Sequence, residues 1–360
     1  MSKQLIGAHA DARVRDTHDP WTGLHVWPSV GGYPLYDDLL YGLMAKDELR
    51  LAPYRSAIGR AAAPSAVDIG TGRDLALAHA CIDAGVELVY AIEELDGVYR
   101  AAAARAFALG LDDRIAVLHG SSTAVELPGR VDLVVSEIIG SIGSAEGVIP
   151  VLDDARRRFL APGGTMIPHR CVTRVAAASL PDQLHDDPGF SPLAVPYLQA
   201  LFDLAGGPFD VRLCLPGLSA EHLLSTPGVF EDLRFAEPLH TDEDRDLLLR
   251  IERPGRLDGL ALWINLWCAP DDEPIDALAQ TTSWVVVFLP LFHPGAAVGP
   301  GDRVRLRCGR RLSDDGIHPD YQVAGTLQRQ AGPATAFDLD LPHHGRIFRQ
   351  NAFYQRLFPR

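Results

Sequence analysis

The chain has 360 residues, is 47% hydrophobic and carries a formal net charge of −14. A chain of that length and apolar content buries more than one core, which excludes a disordered protein and makes two domains the expectation. The acidity excludes nucleic acid, whose phosphates need a basic surface, and suits a cationic substrate or simply solubility.

No stretch of about eighteen apolar residues occurs, so no membrane association is expected. The N-terminal Met-Ser-Lys-Gln-Leu-Ile-Gly-Ala-His-Ala lacks a basic region followed by an apolar signal core, and a cytoplasmic location follows as the expectation. Five cysteines (Cys81, Cys171, Cys214, Cys268 and Cys308) are scattered without a close pair. That pattern predicts reduced, buried thiols and no metal site.

Residues 1–32 are rich in Gly, Pro, His and Asp and read as a loose leader carrying Trp21 and Trp27. From Tyr36 to Arg60 apolar residues recur at helical spacing, with Pro53 marking a break between two helices that would form a lid. Residues 66–168 alternate β-like runs with Ala-rich helical stretches, the signature of a parallel sheet of βαβ units. The strands predicted are Ala66 to Ile69, Leu88 to Ile92, Ile115 to Leu118 and Val131 to Val135. The pattern stops around Pro162-Gly163-Gly164. After Pro168 come period-two segments, Cys171 to Ala176, Leu247 to Glu252, Leu260 to Trp267, Trp284 to Leu289 and Val304 to Cys308, which predict an antiparallel β-barrel. An insertion from Pro181 to Gly217 has helical character at its centre. The fold class is therefore α/β plus mostly β, divided as 1–60, 61–168 and 169–360.

Two motifs carry chemistry. Val67-Asp68-Ile69-Gly70-Thr71-Gly72 falls where the first strand turns into the first helix, and glycines there let backbone approach a ligand at the carboxyl end of the sheet. About twenty residues on, Tyr90-Ala91-Ile92-Glu93 places an acid at the end of the second strand, suited to two ribose hydroxyls. Together they point to a nucleoside cofactor; an ordinary turn and a solvated strand end are the alternative. The second motif follows the strand Val131 to Val135: Ser136-Glu137-Ile138-Ile139-Gly140-Ser141-Ile142-Gly143-Ser144-Ala145-Glu146. Two carboxylates facing one pocket repel each other unless a cation sits between them. A planar guanidinium, which takes bidentate hydrogen bonds, is the natural one.

The order of Asp68-x-Gly70-x-Gly72, Tyr90 to Glu93, Asp113-Arg114-Ile115, His119-Gly120, Val125 to Pro128, Asp132 with Ser136-Glu137, and Leu160 to Pro168 resembles the protein arginine N-methyltransferases. The match is dense from about residue 36 to 168 and sparse to about 290. The resemblance implies a Rossmann-like domain binding S-adenosyl-L-methionine (product S-adenosyl-L-homocysteine), a β-barrel, and a dimerisation arm at 181–217. It implies no metal. Glu137 and Glu146 correspond to the family's double-glutamate loop. Met44 to Arg55 is similar to its N-terminal helix, making Arg50 the partner of the cofactor carboxylate and Met44 a neighbour of the substrate guanidinium. Asp68, Gly70, Gly72 and Glu93 would hold the cofactor's methionyl and ribose portions, with Thr123 on the adenine side and Glu137 also bordering the cofactor. Thr282-Ser283-Trp284 resembles the Thr-His-Trp loop, making Trp284 a substrate-side residue.

The departures are specific. Ser283 replaces the usual histidine, so no imidazole relay with Asp47 operates; Thr123 stands where an acid often meets the adenine amino group; Asp74 replaces a motif glycine; the tyrosine signature before the first helix is missing, with Tyr33, Tyr36 and Tyr41 nearby.

Glu137 and Glu146 would bind the guanidinium, offset its charge and orient one terminal nitrogen toward the methyl donor. Composition rich in Ala, Arg, Asp, Gly and Pro extends the resemblance to bacterial relatives that methylate free L-arginine in natural-product pathways such as that of streptozotocin. Free arginine is the favoured substrate. Arginine in proteins is the second reading, and an inactive cofactor-binding partner subunit the third. Leu193, Val195, Tyr197, Leu198, Leu201, Phe202 and Leu204 on the arm predict an exposed apolar patch and a homodimer. The tail from His343-His344-Gly345-Arg346 to Arg356 and the leader around Trp21 are places that could close over a free amino acid.

Overall fold

A computed structural model of the chain describes residues 2–7, 9–15, 25–29, 42, 44, 46–345 and 347–360. Trp21, Tyr33, Tyr36, Tyr41 and Arg346, singled out in the sequence, lie outside the described residues.

A helix, Glu48–Ala61, precedes the first sheet. Asp47 caps it by accepting the Arg50 N–H at 3.1 Å, and Leu51, Tyr54, Ala57 and Ile58 form its buried stripe. The expected break at Pro53 does not occur. Pro53 sits in the second turn, where its missing N–H sacrifices one bond to the carbonyl of Leu49, and Leu49 is exposed to water.

The parallel sheet has five strands in the order Ile115–His119, Leu88–Glu93, Ser65–Ile69, Val131–Ser136, Leu160–Ile167. The sequence pattern missed the fifth. Its Pro162-Gly163-Gly164 hides a strand that shifts register between Val131 and Leu133 and then pairs Thr165, Met166 and Ile167 with Leu133, Val134 and Val135. Burial on both faces explains the near-continuous Val, Ile, Leu and Ala of the central strands, each worth about 1.5–3 kcal/mol when fully buried.

At Arg170 pairing changes to antiparallel. Arg170–Ala178 lies between Gly228–Arg234 and Gly259–Trp267, and the sheet continues through Val287–Pro290 and Arg212–Cys214 to Trp27–Ser29. A second sheet runs Glu243–Arg250, Arg303–Leu312, Pro319–Gln328, Thr335–Leu341. A core of Val175, Ala177, Leu260, Leu262, Leu306, Val323 and Leu339 fills the space between them.

The leader and the arm differ from expectation together. Ser2–Ile6 and Ala10–Val14 form an antiparallel hairpin, and Trp27–Ser29 is a strand of the larger sheet. The helix Val195–Ala205 turns Val195, Leu198, Leu201 and Phe202 inward against the same core as Ile6, Ala12 and Val14, and its buried Tyr197 packs on Trp27 at 5.4 Å. Phe202 meets Phe209 at 5.8 Å and Phe358 at 5.9 Å. Of the seven apolar residues expected at the surface only Leu193 and Leu204 are exposed, because leader and tail cover the rest. Among the described residues no helix is long and apolar enough to cross a membrane.

Candidate active site

The carboxyl ends of Ser65–Ile69, Leu88–Glu93 and Val131–Ser136 open into a cavity of about 570 Å³. The first of these strands pairs with both others, so chain direction diverges on either side of it, the place where ligands bind in open α/β sheets.

At the first strand end Gly70 and Gly72 take positive φ (72° and 66°), and a Cβ on Gly70 would stand 2.9 Å from Ile138. Gly70 and Thr71 donate N–H groups to the Ile92 carbonyl at 3.0 and 3.1 Å. Asp68 is 1% exposed; its Oδ2 accepts from Thr71 Oγ1 at 2.6 Å and Ala78 N at 3.0 Å, while Oδ1 has no partner among the described residues. Burial pushes this carboxyl up to about 7. Glu93 accepts from Gly72 N at 3.1 Å and Leu95 N at 3.0 Å, which fixes the acid at the cavity wall. The cavity thus has a buried carboxylate with an unfilled acceptor, a side-chain-free approach at Gly70 and Gly72, and a second acid across the sheet. These residues fit a nucleoside cofactor. Thr123 does not join them: it is exposed, bonded to Ser121, and off the lining, whereas the buried Ser122 lines the wall.

Glu137 and Glu146 both line the same cavity. The loop between them folds back on itself, and Gly140 makes that possible: a Cβ there would meet Ile142 O at 2.9 Å, Ala145 Cβ at 3.0 Å and Glu146 Cγ at 3.3 Å. Its middle is held by the second half of the chain. Gly143 N donates to Thr173 Oγ1 at 2.9 Å, Ser144 N to Glu231 Oε1 at 2.9 Å and Ser144 Oγ to Glu231 Oε2 at 2.6 Å, with Tyr321 Oη 2.7 Å from Ser144 Oγ. Glu231 is balanced by Arg310 at 2.9 Å.

Glu137 forms a largely buried ion pair with Arg50. The Arg50 guanidinium also donates to Ser283 Oγ at 3.3 Å and lies 5.6 Å from the Trp284 ring centroid. Trp284 Nε1 donates to Ile139 O at 2.7 Å, which ties the barrel-side tryptophan to the glutamate loop. Met44 lines the cavity on the same side. Sequence reasoning missed the far wall, made by Ser29, Cys214, Asp315 and His318. The one sequence signal there is the Ser313-Asp314-Asp315-Gly316 turn between two period-two segments. His318 Nδ1 lies 2.6 Å from Asp315 Oδ2.

No protein-family model matches the chain. A 144-residue stretch, 39% of the chain, is 34% identical to the "Probable protein arginine N-methyltransferase 6" of Arabidopsis thaliana and covers 33% of it. The chain thus spans about a third of the length of the first curated relatives it matches. The "Arginine N(omega)-methyltransferase" of Streptomyces achromogenes subsp. streptozoticus is 29% identical over 288 residues, 74% of each chain. The structure of Arabidopsis thaliana protein arginine methyltransferase 10 superposes with a TM-score of 0.70 at 18% identity, covering 86% of this chain and 99% of that one, which shows a shared fold.

Proposed function

We propose that this chain is a member of the protein arginine N-methyltransferase family, to which it is similar in sequence and fold, and that it methylates a terminal guanidino nitrogen of arginine with S-adenosyl-L-methionine as donor. One observation carries the reading: Glu137 and Glu146 face the same cavity as Asp68, Gly70, Gly72 and Glu93, and Glu137 already holds a guanidinium, that of Arg50.

Asp68, Gly70, Gly72, Glu93 and Arg50 would hold the cofactor, with Ser122 in place of Thr123 along the wall. When bound, S-adenosyl-L-methionine supplies an electrophilic methyl group on a cationic sulfur. The chain's own residues do the rest. Two carboxylates on one guanidinium offset its charge, set which nitrogen faces the donor, and accept the proton that nitrogen releases. Trp284 and Met44 close the apolar sides of the acceptor. Ser283 offers no basic nitrogen, so proton acceptance falls to the carboxylates.

Free L-arginine is the favoured substrate. Its support is the Streptomyces relative, which aligns over three quarters of both chains, whereas the plant relative aligns over a third of its own length. Arginine in proteins is the second reading, favoured by the acidic charge. A homodimer belongs to the same proposal on the narrower ground of exposed Leu193 and Leu204, and a monomeric mass in sedimentation at micromolar concentration overturns it; a cytoplasmic site of action is proposed with it.

The test is to incubate the protein with S-adenosyl-L-methionine and either L-arginine or an Arg-Gly-rich peptide, reading products by mass spectrometry beside Glu137→Gln. Methylated free arginine that disappears in the variant supports the proposal. Methylation of the peptide alone replaces the substrate, and no product from either leaves an inactive partner subunit as the better reading.

A further inference from the structure

Arg212 lies on the short strand Arg212–Cys214, directly opposite Ser29, while Cys214 lies opposite Trp27. Trp27, Ser29 and Cys214 all line the cavity. Residues two apart on a strand, and residues directly opposed across it, share one face of a sheet. The Arg212 side chain therefore leaves the sheet on the face that carries Ser29 and Cys214, toward the Tyr321 ring, and is not itself a lining residue of the cavity.

That side chain is 3% exposed, and among the described residues neither of its Nη atoms has a hydrogen-bond partner. A buried guanidinium without a counter-ion is a strongly unfavourable arrangement unless an anion completes it. The carboxylates of the surrounding elements are committed elsewhere. Glu231 takes Arg310, Thr173 and Ser144; Asp210 takes the N–H groups of Arg349 and Gln350 at 2.8 and 2.7 Å; Asp315 takes the His318 ring. The neighbouring His343 is pushed down to about 2, by burial first and then by His318, Arg212 and His344, so this corner rejects additional positive charge.

A metal ion shared by Asp315, His318 and His343 does not suit the geometry, although their ligand atoms lie within 4.8 Å of one another. The two imidazoles stack at 3.9 Å with planes 3° apart, so their in-plane lone pairs run parallel and do not converge on one ion.

We propose that Arg212 is the anchor for the α-carboxylate of a free amino-acid substrate whose guanidinium lies at Glu137 and Glu146. The inference rests on the free-arginine reading of the cavity and deepens it. A carboxylate is planar and accepts two parallel hydrogen bonds, which matches the fork that Arg212 presents. Tyr321 links the two ends: Arg212 Cζ is 5.4 Å from its ring centroid, and its Oη is 2.7 Å from Ser144 Oγ, two residues before Glu146. An extended arginine measures about 7.5 Å from guanidino carbon to carboxyl carbon by ordinary bond lengths. An arginine within a peptide has an amide at that position and leaves Arg212 uncompensated, so the same residue selects the free amino acid.

The experiment compares L-arginine with agmatine, which keeps the guanidinium and lacks the carboxylate, in wild type, Arg212→Gln and Arg212→Lys. S-adenosyl-L-homocysteine binding by calorimetry and thermal unfolding are followed alongside. Wild type is expected to prefer L-arginine about 100-fold in kcat/KM, the scale of losing a charge-assisted bidentate contact. Arg212→Gln removes most of that preference through KM for L-arginine, keeps agmatine turnover within a few-fold, and binds S-adenosyl-L-homocysteine as wild type does; Arg212→Lys falls between. Equal use of both substrates by wild type overturns the anchor, as does a proportional loss of both in the variants. Loss of S-adenosyl-L-homocysteine binding in a folded variant overturns it in favour of the cofactor's own carboxylate. If Arg212→Gln does not fold, the wild-type preference and Arg212→Lys still decide. Should wild type methylate no guanidine at all, the methyltransferase reading falls, and the anchor with it.

Discussion

The Asp47 carboxylate joins two distant segments of the chain: one oxygen accepts the Arg50 N–H at 3.1 Å and the other accepts the Ser283 N–H at 2.6 Å. A single side chain thus caps the helix that carries Arg50 and fixes the loop that carries Trp284. Asp47→Ala removes both bonds. Loss of the cap costs about 1 kcal/mol by itself, and freeing the Ser283–Trp284 loop weakens the site, so methyl transfer should fall about tenfold. Urea unfolding and steady-state rates measure the two effects, and a variant equal to wild type in both would show that the Asp47 contacts contribute nothing.

Glu137→Gln and Glu146→Gln keep the shape of the loop and remove one anion each. Each should lower kcat/KM for the guanidine substrate by about 100- to 1,000-fold, the scale seen when one preorganised electrostatic group is lost. Glu137→Gln should also weaken cofactor binding, because Arg50 loses the partner that holds it in the cavity. Either variant retaining more than a third of wild-type kcat/KM argues against the two-carboxylate clamp.

Asp68 gives a pH dependence with a definite sign. Its folded carboxyl titrates near 7, against about 3.9 in an unfolded chain, so between those values the folded state holds a proton that the unfolded state has released. Its contribution to stability is therefore fully present below about pH 4 and is lost as the pH rises through about 7. Asp68→Asn abolishes that slope. Chemical denaturation at pH 4, 5.5 and 8 should show the ligand-free wild type losing a few kcal/mol relative to the variant across the series. A constant difference at the three values contradicts the assignment.

Gly140→Ala tests the folded-back loop. The added methyl meets the Ile142 carbonyl at 2.9 Å, the Ala145 side chain at 3.0 Å and Glu146 Cγ at 3.3 Å, so the loop backbone itself must shift and Glu146 moves with it. KM for the guanidine should rise about tenfold or more, while S-adenosyl-L-homocysteine affinity changes little, because Asp68, Gly70 and Glu93 are untouched. Equal losses of both affinities would mean that the loop does not act independently of the cofactor side.

What could be read from the sequence was local. The glycines at 70 and 72 and the acids at 93 and 137 sit at strand ends that hydrophobic runs mark plainly, and Glu146 closes the loop that follows, so the cavity floor was legible. Elements whose identity depends on remote partners were not. Pro162-Gly163-Gly164 reads as a terminator, yet it lies inside the strand Leu160–Ile167, which is completed by pairing with Val131–Ser136. Val195, Tyr197, Leu198, Leu201 and Phe202 read as an exposed face, since nothing local says that the leader hairpin and the tail aromatics cover it. Arg212 was invisible for the same reason. Val211-Arg212-Leu213-Cys214 reads as one more alternating strand, and only the pairing with Trp27–Ser29 shows where that arginine points.

The glutamate loop is written early in the chain and set late. Ser144 and Tyr321, whose oxygens meet at 2.7 Å, are separated by 177 residues. On the ribosome, Glu137 and Glu146 emerge long before the residues that hold the loop in place, and a partly synthesised chain can carry the cofactor-facing strand ends with no ordered pair of carboxylates opposite them. The acceptor clamp is thus complete only after the strand that carries Tyr321 has been made and folded back onto the loop.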